Sequence, residues 1–180
     1  EKKVEQFYKE ALDSGNEGLM IKNLDAPYRP GARVGFMVKL KPTKENLDLM
    51  IVKAEWGEGK RSNWLSSFTL ACSDEEGNLL EVGKASTGLK EKPEEGLSFT
   101  EMTEMLKPLI KKEEGKEVIV KPKIVIEVGY EEVQKSPTYS SGYALRFPRV
   151  IQLREDRGIE DISTQDMVED VYKKQIKKGG

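Results

Sequence analysis

The sequence predicts a mainly β protein. A closed five-stranded barrel with one inserted helix is preceded by a helix-strand segment and followed by a C-terminal helix. Three observations carry this. Five strand-like apolar runs lie between residues 47 and 154, parted by turn-rich stretches such as "GEGKRSN" and "DEEGN". One helical pattern interrupts them after the third run. Helical spacing of apolar residues recurs at both ends of the chain.

Val4, Phe7, Tyr8, Ala11 and Leu12 follow the spacing of one helical face, which Ser14-Gly15 should end. "EGLMIK" (17–22) reads as a buried strand. The Pro- and Gly-rich stretch "NLDAPYRPGARVG" leads to a second strand, "FMVKLK" (36–41). This unit holds too little apolar surface to fold alone, so residues 1–42 are expected to be the tail of a larger domain.

The five runs are "LDLMIVKAEW" (47–56), "WLSSFTLACS" (64–73), "LLEVGKAST" (79–87), "EVIVKPKIVIEV" (117–128) and "YALRFPRVIQLR" (143–154). Between the third and fourth lies "SFTEMTEMLKPLI". Ser98 and Glu101 form a capping-box pattern, Met102, Met105, Leu106 and Leu109 supply an apolar face, and Pro108 should help stop the helix. Three strands, a helix and two strands is the order of an OB-fold; the helix argues against an SH3-like barrel. In the last stretch Met167, Val168, Val171, Tyr172 and Gln175 share one side, with acids leading and lysines trailing as the helix dipole favours. The expected boundaries are 1–42, 43–157 and 158–180, the last a docking helix and tail.

With 180 residues, the chain suits one domain, or a domain plus part of another. A hydrophobic content of 37% beside 34% charge indicates a globular chain rather than a disordered one. Lysine and glutamate enrichment suits a heat-loving source. The absence of His removes Ser-His-Asp triads, Cys-His dyads and His-ligated zinc. The single cysteine, Cys72, lies in an apolar run and reads as a buried, inert thiol; a chain without a disulfide suits the cytoplasm. No apolar stretch is long enough for a membrane span. What chemistry remains rests on Lys, Arg, Glu and Asp, a set suited to phosphate. A net charge of −2 argues against a uniformly basic nucleic-acid coat but allows a local basic face.

Three segments could carry that chemistry. Alternation on "FMVKLK" puts Phe36, Val38 and Leu40 on one face and Met37, Lys39 and Lys41 on the other. The lysines are either a solvated edge or a seat for an anion. "RFPRVIQLREDR" holds four arginines in twelve residues, Arg146, Arg149, Arg154 and Arg157. They could grip phosphate bidentately or form an exposed ion-pair strand. As a strand, this run should turn Phe147, Ile151 and Leu153 inward and Arg146 and Arg154 outward, with Pro148 at an edge or bulge. Glu17 opens an apolar strand beside Gly18, as a solvated acid or as a ligand for a divalent cation.

Taken in order, "EGLMIK", "MVKLK" and "RFPR…REDR", with "AEWGEGKR", "KASTG", "FTEMTEMLKPLI" and "EVGYEEVQKSPTYSSGYALRFPR", closely resemble the C-terminal portion of ATP-dependent DNA ligases of the archaeal and eukaryotic replicative type. The resemblance covers nearly the whole chain. It implies that residues 1–42 are the end of a nucleotidyltransferase (adenylation) domain. In that reading Glu17 (motif IV) helps bind Mg2+, and Lys39 and Lys41 (motif V) lie near the α-phosphate of ATP. Arg33 belongs to the nucleotide site. Arg154, Asp156 and Arg157 (motif VI) assist loss of pyrophosphate, and Arg146 and Arg149 contact DNA. The implied substrates are ATP and nicked duplex DNA. A monomer is expected, with any sliding-clamp contact upstream, in the cytoplasm of a prokaryotic-type cell or the nucleus of a eukaryotic one.

The sequence departs from the family in places. Met37 and Val38 stand where the family often has an aromatic residue before the lysines, Asn16 where His is frequent, and Arg157 where Lys is usual. The motif Lys-x-Asp-Gly, which carries the adenylated lysine, does not occur. Without that nucleophile no phosphoramidate can form, so this chain alone is expected to be inactive. A hinge near Lys41 to Glu45 is implied by the family. The rival readings are an RNA ligase or capping guanylyltransferase, and a non-catalytic OB module that binds single strands, against which the few aromatics count.

Overall fold

The computed structural model describes residues 2–16, 18–27, 35–40 and 45–177. The chain divides into two compact units, Glu1–Thr43 with Ile176–Gly180, and Lys44–Gln175.

In the first unit, helix α1 (Lys2–Asp13) ends as its sequence requires. Ser14 Oγ donates to the Glu10 carbonyl at 2.7 Å, and Gly15 takes a φ of 81° that suits glycine. Strands β1 (Leu19–Lys22) and β2 (Met37–Leu40) pair antiparallel, Met20 opposite Lys39 and Ile21 opposite Val38. Leu19, Ile21, Val38 and Leu40 therefore share one face, and Met20, Lys22, Met37 and Lys39 the other. The expected burial of β1 is not found: Met20 is 46% and Ile21 47% exposed. Phe7 and Val4 of α1 are exposed as well, and with Lys3 they border β1 across an open groove of about 330 Å³. Among the described residues of this unit, α1 alone stands beside the two four-residue strands, and across an open groove it does not cover them.

The second unit is the barrel. Its strands are β3 (Leu47–Trp56), β4 (Leu65–Ser73) and β5 (Leu79–Ala85), then, after helix α2 (Phe99–Leu106), β6 (Ile110–Glu114) and β7 (Glu117–Val120). There follow β8 (Val125–Gly129), β9 (Glu132–Lys135), β10 (Tyr143–Arg146) and β11 (Arg149–Leu153), and the chain's last helix is α3 (Gln165–Lys177). Antiparallel pairing runs β11–β8–β3–β4–β5. The seam closes where Val150 donates its N–H to the Thr87 carbonyl at 2.9 Å and Ser141 to that of Glu81 at 3.1 Å. This is the expected OB barrel, with α2 between its third and fourth strands.

Two expected strands divide. Pro122 has no N–H to give a ladder, and the fourth run splits into β7 and β8, both still paired with β3. The fifth splits at Phe147-Pro148 into β10 and β11. Strands β6 and β9 arise from charged segments with little apolar alternation, as hairpin partners of β7 and β10. The facing expected for the fifth run also fails in part. Val150 is buried, whereas Phe147 is 64% and Ile151 42% exposed. The break at Phe147-Pro148 starts β11 in the opposite phase from β10, so Val150 turns inward in place of Ile151. A β-bulge between Val150 and Gln152 then restores the phase, and Leu153 turns inward as expected.

The core gathers Leu49, Ile51, Phe68, Leu70, Val82 and Ile126, all essentially inaccessible. Each contributes roughly 1.5–3 kcal/mol of transfer free energy. Cys72 is fully buried, and desolvation pushes its thiol up to about 11, so it is inert at neutral pH. The α2 cap is a complete capping box: Glu101 N–H donates to Ser98 Oγ at 3.2 Å, and Ser98 N–H to Glu101 Oε2 at 2.9 Å. Thr103 Oγ1 accepts the Leu65 N–H at 3.0 Å, tying α2 to β4. Helix α3 docks through Val168, Val171 and Tyr172, and the Gln175 amide bonds both backbone groups of Val133. Met167, expected on that face, is 49% exposed. Among the described residues, no helix is long and apolar enough to cross a membrane.

Candidate functional site

Arg154, Asp156 and Arg157 come together where β11 leaves the barrel. Arg154 spans from strand to loop. Its Nη1 donates to both carboxylate oxygens of Asp48 on β3, at 3.0 and 3.2 Å. Its Nε and Nη2 donate to the two oxygens of Asp156 at 3.0 and 2.9 Å. Glu127 Oε2 on β8 lies 3.9 Å from Nη1. These acids raise the Arg154 pKa further above its already high value. The Arg154 hydrogen bond, in turn, is the main cause holding the Asp156 carboxyl at about 2.

Arg157 is bound more loosely. Its Nε stands 3.8 Å from Asp48 and 3.7 Å from Asp156, and its side chain is 39% exposed against 20% for Arg154. Arg154, Arg157 and Lys123 line an open groove of about 270 Å³. Arg154 is already paired with Asp48 and Asp156, and Glu155 shares the lining, so Arg157 and Lys123 are the cations this groove can turn towards a phosphate.

Arg146 and Arg149 flank the Phe147-Pro148 turn. Arg146 pairs with Glu132 at 2.9 Å and lies over the Phe147 ring, 5.2 Å from its centroid. Phe147 itself has a φ of 49°, a strained conformation for a residue with a Cβ. Arg149 stands opposite Gly129. Lys39 lies on β2 in the first unit, exposed, with no ion-pair partner among the described residues. Glu17, Arg33 and Lys41 lie outside the described residues.

Sequence reasoning missed Asp48 and Glu127. Each is the lone acid at an outward position of an apolar stretch, "LDLMIV" and "IVIEV", and that isolation was the available signal. Glu127 is held by the side-chain amides of Asn46 and Gln152, which lower its pKa. Among the described residues no group of three or more His, Cys, Asp or Glu is placed to hold a metal ion. Asp48 and Asp156 are instead engaged with the Arg154 guanidinium.

A family model for the ATP dependent DNA ligase C terminal region matches residues 61–157, and one for the ATP dependent DNA ligase domain matches residues 1–41. The DNA ligase of Nanoarchaeum equitans is 60% identical over 183 residues, covering 100% of this chain and 32% of that protein. The DNA ligase of Archaeoglobus fulgidus is 50% identical over 174 residues, covering 96% of this chain and 30% of that protein. Among solved structures, the ligase domain of M. tuberculosis LigD is similar with a TM-score of 0.55 and 27% identity, over 88% of this chain and 50% of that one. The chain spans 32% and 30% of the length of these two curated relatives. With the barrel, the hairpin and both matches in agreement, the chain belongs to the ATP-dependent DNA ligase family.

Proposed function

We propose that this chain is the C-terminal portion of an enzyme that seals nicks in duplex DNA with ATP. Residues 1–42 complete its adenylation domain, 43–157 form the OB domain, and 158–180 the closing helix and tail. In the reaction a lysine amine attacks the α-phosphorus of ATP and pyrophosphate leaves. AMP then passes to the 5′-phosphate at the nick, and the 3′-hydroxyl displaces it. Charge builds on phosphate oxygens at every step, so the protein's contribution is placed cations.

The observation that carries this reading is the cluster of Arg154, Asp156 and Arg157 beside an open groove at the barrel edge. There they would draw off the leaving pyrophosphate. Lys39 and Lys41 would face the α-phosphate with Arg33 in the nucleotide site, Glu17 would hold the Mg2+ that accompanies ATP, and Arg146 and Arg149 would meet the DNA backbone. The enzyme would work as a cytoplasmic monomer, with any sliding-clamp contact made by other parts of the polypeptide.

The test is a chimera in which these 180 residues replace the matching part of the Nanoarchaeum equitans DNA ligase. It should seal a 5′-phosphorylated nick with ATP, while the 180 residues alone acquire no AMP by mass spectrometry. A stoichiometric AMP adduct on the chain alone overturns the reading. So does a chimera that joins RNA ends in preference to nicked DNA. Salt-dependent binding of single strands without preference for a nicked duplex would favour a non-catalytic OB module instead.

A further inference from the structure

Asp48 and Glu127 stand directly opposite one another on β3 and β8. Like charges at directly opposed ladder positions repel, so this face needs a cation between its strands. Arg154 supplies it with one edge of its guanidinium and grips Asp156 with the other. The Asp48 backbone cannot shift to relieve the pair. Its N–H donates to Ser163 Oγ at 3.0 Å, and its carbonyl accepts the Ser163 N–H at 2.8 Å. Glu127 is likewise fixed by Asn46 and Gln152.

Arg154 is therefore held in its seat: leaving it would expose two carboxylates to each other. Arg157 makes no side-chain hydrogen bond among the described residues, and its two ion pairs are long. We propose that Asp48 is a positioning residue: through Arg154 it fixes the Asp156–Arg157 loop so that Arg157 offers its guanidinium to the diphosphate leaving ATP. This rests on the ligase reading above and adds a residue far from the arginine motif in sequence.

Three readouts test it. In the chimera, Asp48→Asn should slow enzyme–AMP formation at saturating ATP by at least about tenfold, the scale of a misplaced catalytic group. The loss should fall on the rate constant rather than on KM. Sealing of a preadenylated nick, which bypasses charging, should stay within about twofold. Asp48→Glu, which keeps the charge, should recover most of the rate. In the 180-residue chain itself, 15N spectra should show a protected Arg154 Nη1–H that Asp48→Asn releases while the backbone spectrum is retained. Equal loss in both chemical steps without rescue by Glu would mark a merely structural residue and overturn the proposal, as would an unchanged charging rate. A wild-type chimera that fails to charge sinks the ligase reading instead, and the Arg154 spectrum then still decides whether Asp48 holds it.

Discussion

Val150 donates its backbone N–H to the carbonyl of Thr87 at 2.9 Å, and this bond closes the barrel between strands that are far apart in the chain. Gly88, the next residue, has a φ of 106°, and a Cβ there would fall 2.0 Å from the Val150 carbonyl oxygen. Only glycine fits against the seam. Gly88→Ala should cost at least about 2 kcal/mol, from left-handed strain together with a forced-open seam. Urea denaturation of the 180-residue chain would read it. A change under about 0.5 kcal/mol, ordinary for a surface site, would mean that the seam is not closed at this point.

The Arg154–Asp156 pair sets an acid limit on stability. The Asp156 carboxyl sits at about 2, below its ordinary 3.8. A group depressed on folding contributes stability that is complete above its unfolded pKa and is lost as pH falls through the folded one. The contribution should therefore be full above about pH 4 and fade towards pH 2. Asp156→Asn should flatten melting temperature against pH in that window, and Glu127, also depressed, should keep part of the slope. Asp156 is largely exposed, so the effect is modest. An acid profile identical to wild type would show that the pair does not persist in solution.

Much of this architecture was legible from the chain. The first run, "LDLMIVKAEW", coincides with β3 because its continuous apolar stretch from Leu49 to Val52 is bounded by charged positions and turn residues. Ser98 and Glu101 announced α2, since a capping box is a local device that needs no tertiary information. What failed was non-local. The break at Phe147-Pro148 reversed the facing expected for Phe147 and Ile151, the bulge at Ile151 restored it for Leu153, and nothing in the local sequence marks where a ladder slips. Strand β1 was read as buried from its apolar composition, but burial depends on what lies above it, and Met20 and Ile21 are exposed. The arginine cluster was visible, whereas its Asp48 anchor, 106 positions away, depends on the register between β3 and β8.

Tyr130, which follows β8, is buried to 6% exposure, and its hydroxyl has no hydrogen-bond partner among the described residues. Burial also pushes its pKa up to about 12. A buried hydroxyl without a partner carries its full desolvation cost. Tyr130→Phe keeps the ring and removes that cost, so stability should rise by about 1 kcal/mol. Chemical denaturation at neutral pH checks the sign. A loss of stability would reveal a partner for the hydroxyl.

The two lysines that best separate function from stability are Lys39 and Lys53. Lys53 on β3 pairs with Glu81 at 2.9 Å, and this hydrogen bond is the main cause of its raised pKa. Partly exposed pairs of this kind contribute at most about 1 kcal/mol. Lys53→Ala in the chimera should therefore lower the melting temperature slightly and leave sealing within about twofold. Lys39 has no such partner among the described residues and projects with Met20 and Met37 from one face of its exposed hairpin. An ammonium kept without an internal counter-ion has little to lose in stability on truncation. If it faces the α-phosphate, removing it takes charge from the point where the transition state gathers it, and losses of 10²–10³-fold are typical of such groups. Lys39→Ala should thus leave the melting temperature unchanged and slow sealing by roughly 10²-fold. Time courses on nicked duplex, run beside thermal melts of both variants, separate the two effects. If both substitutions slow sealing equally, the hairpin lysine has no special place in the chemistry, and the β1–β2 face must be given another role.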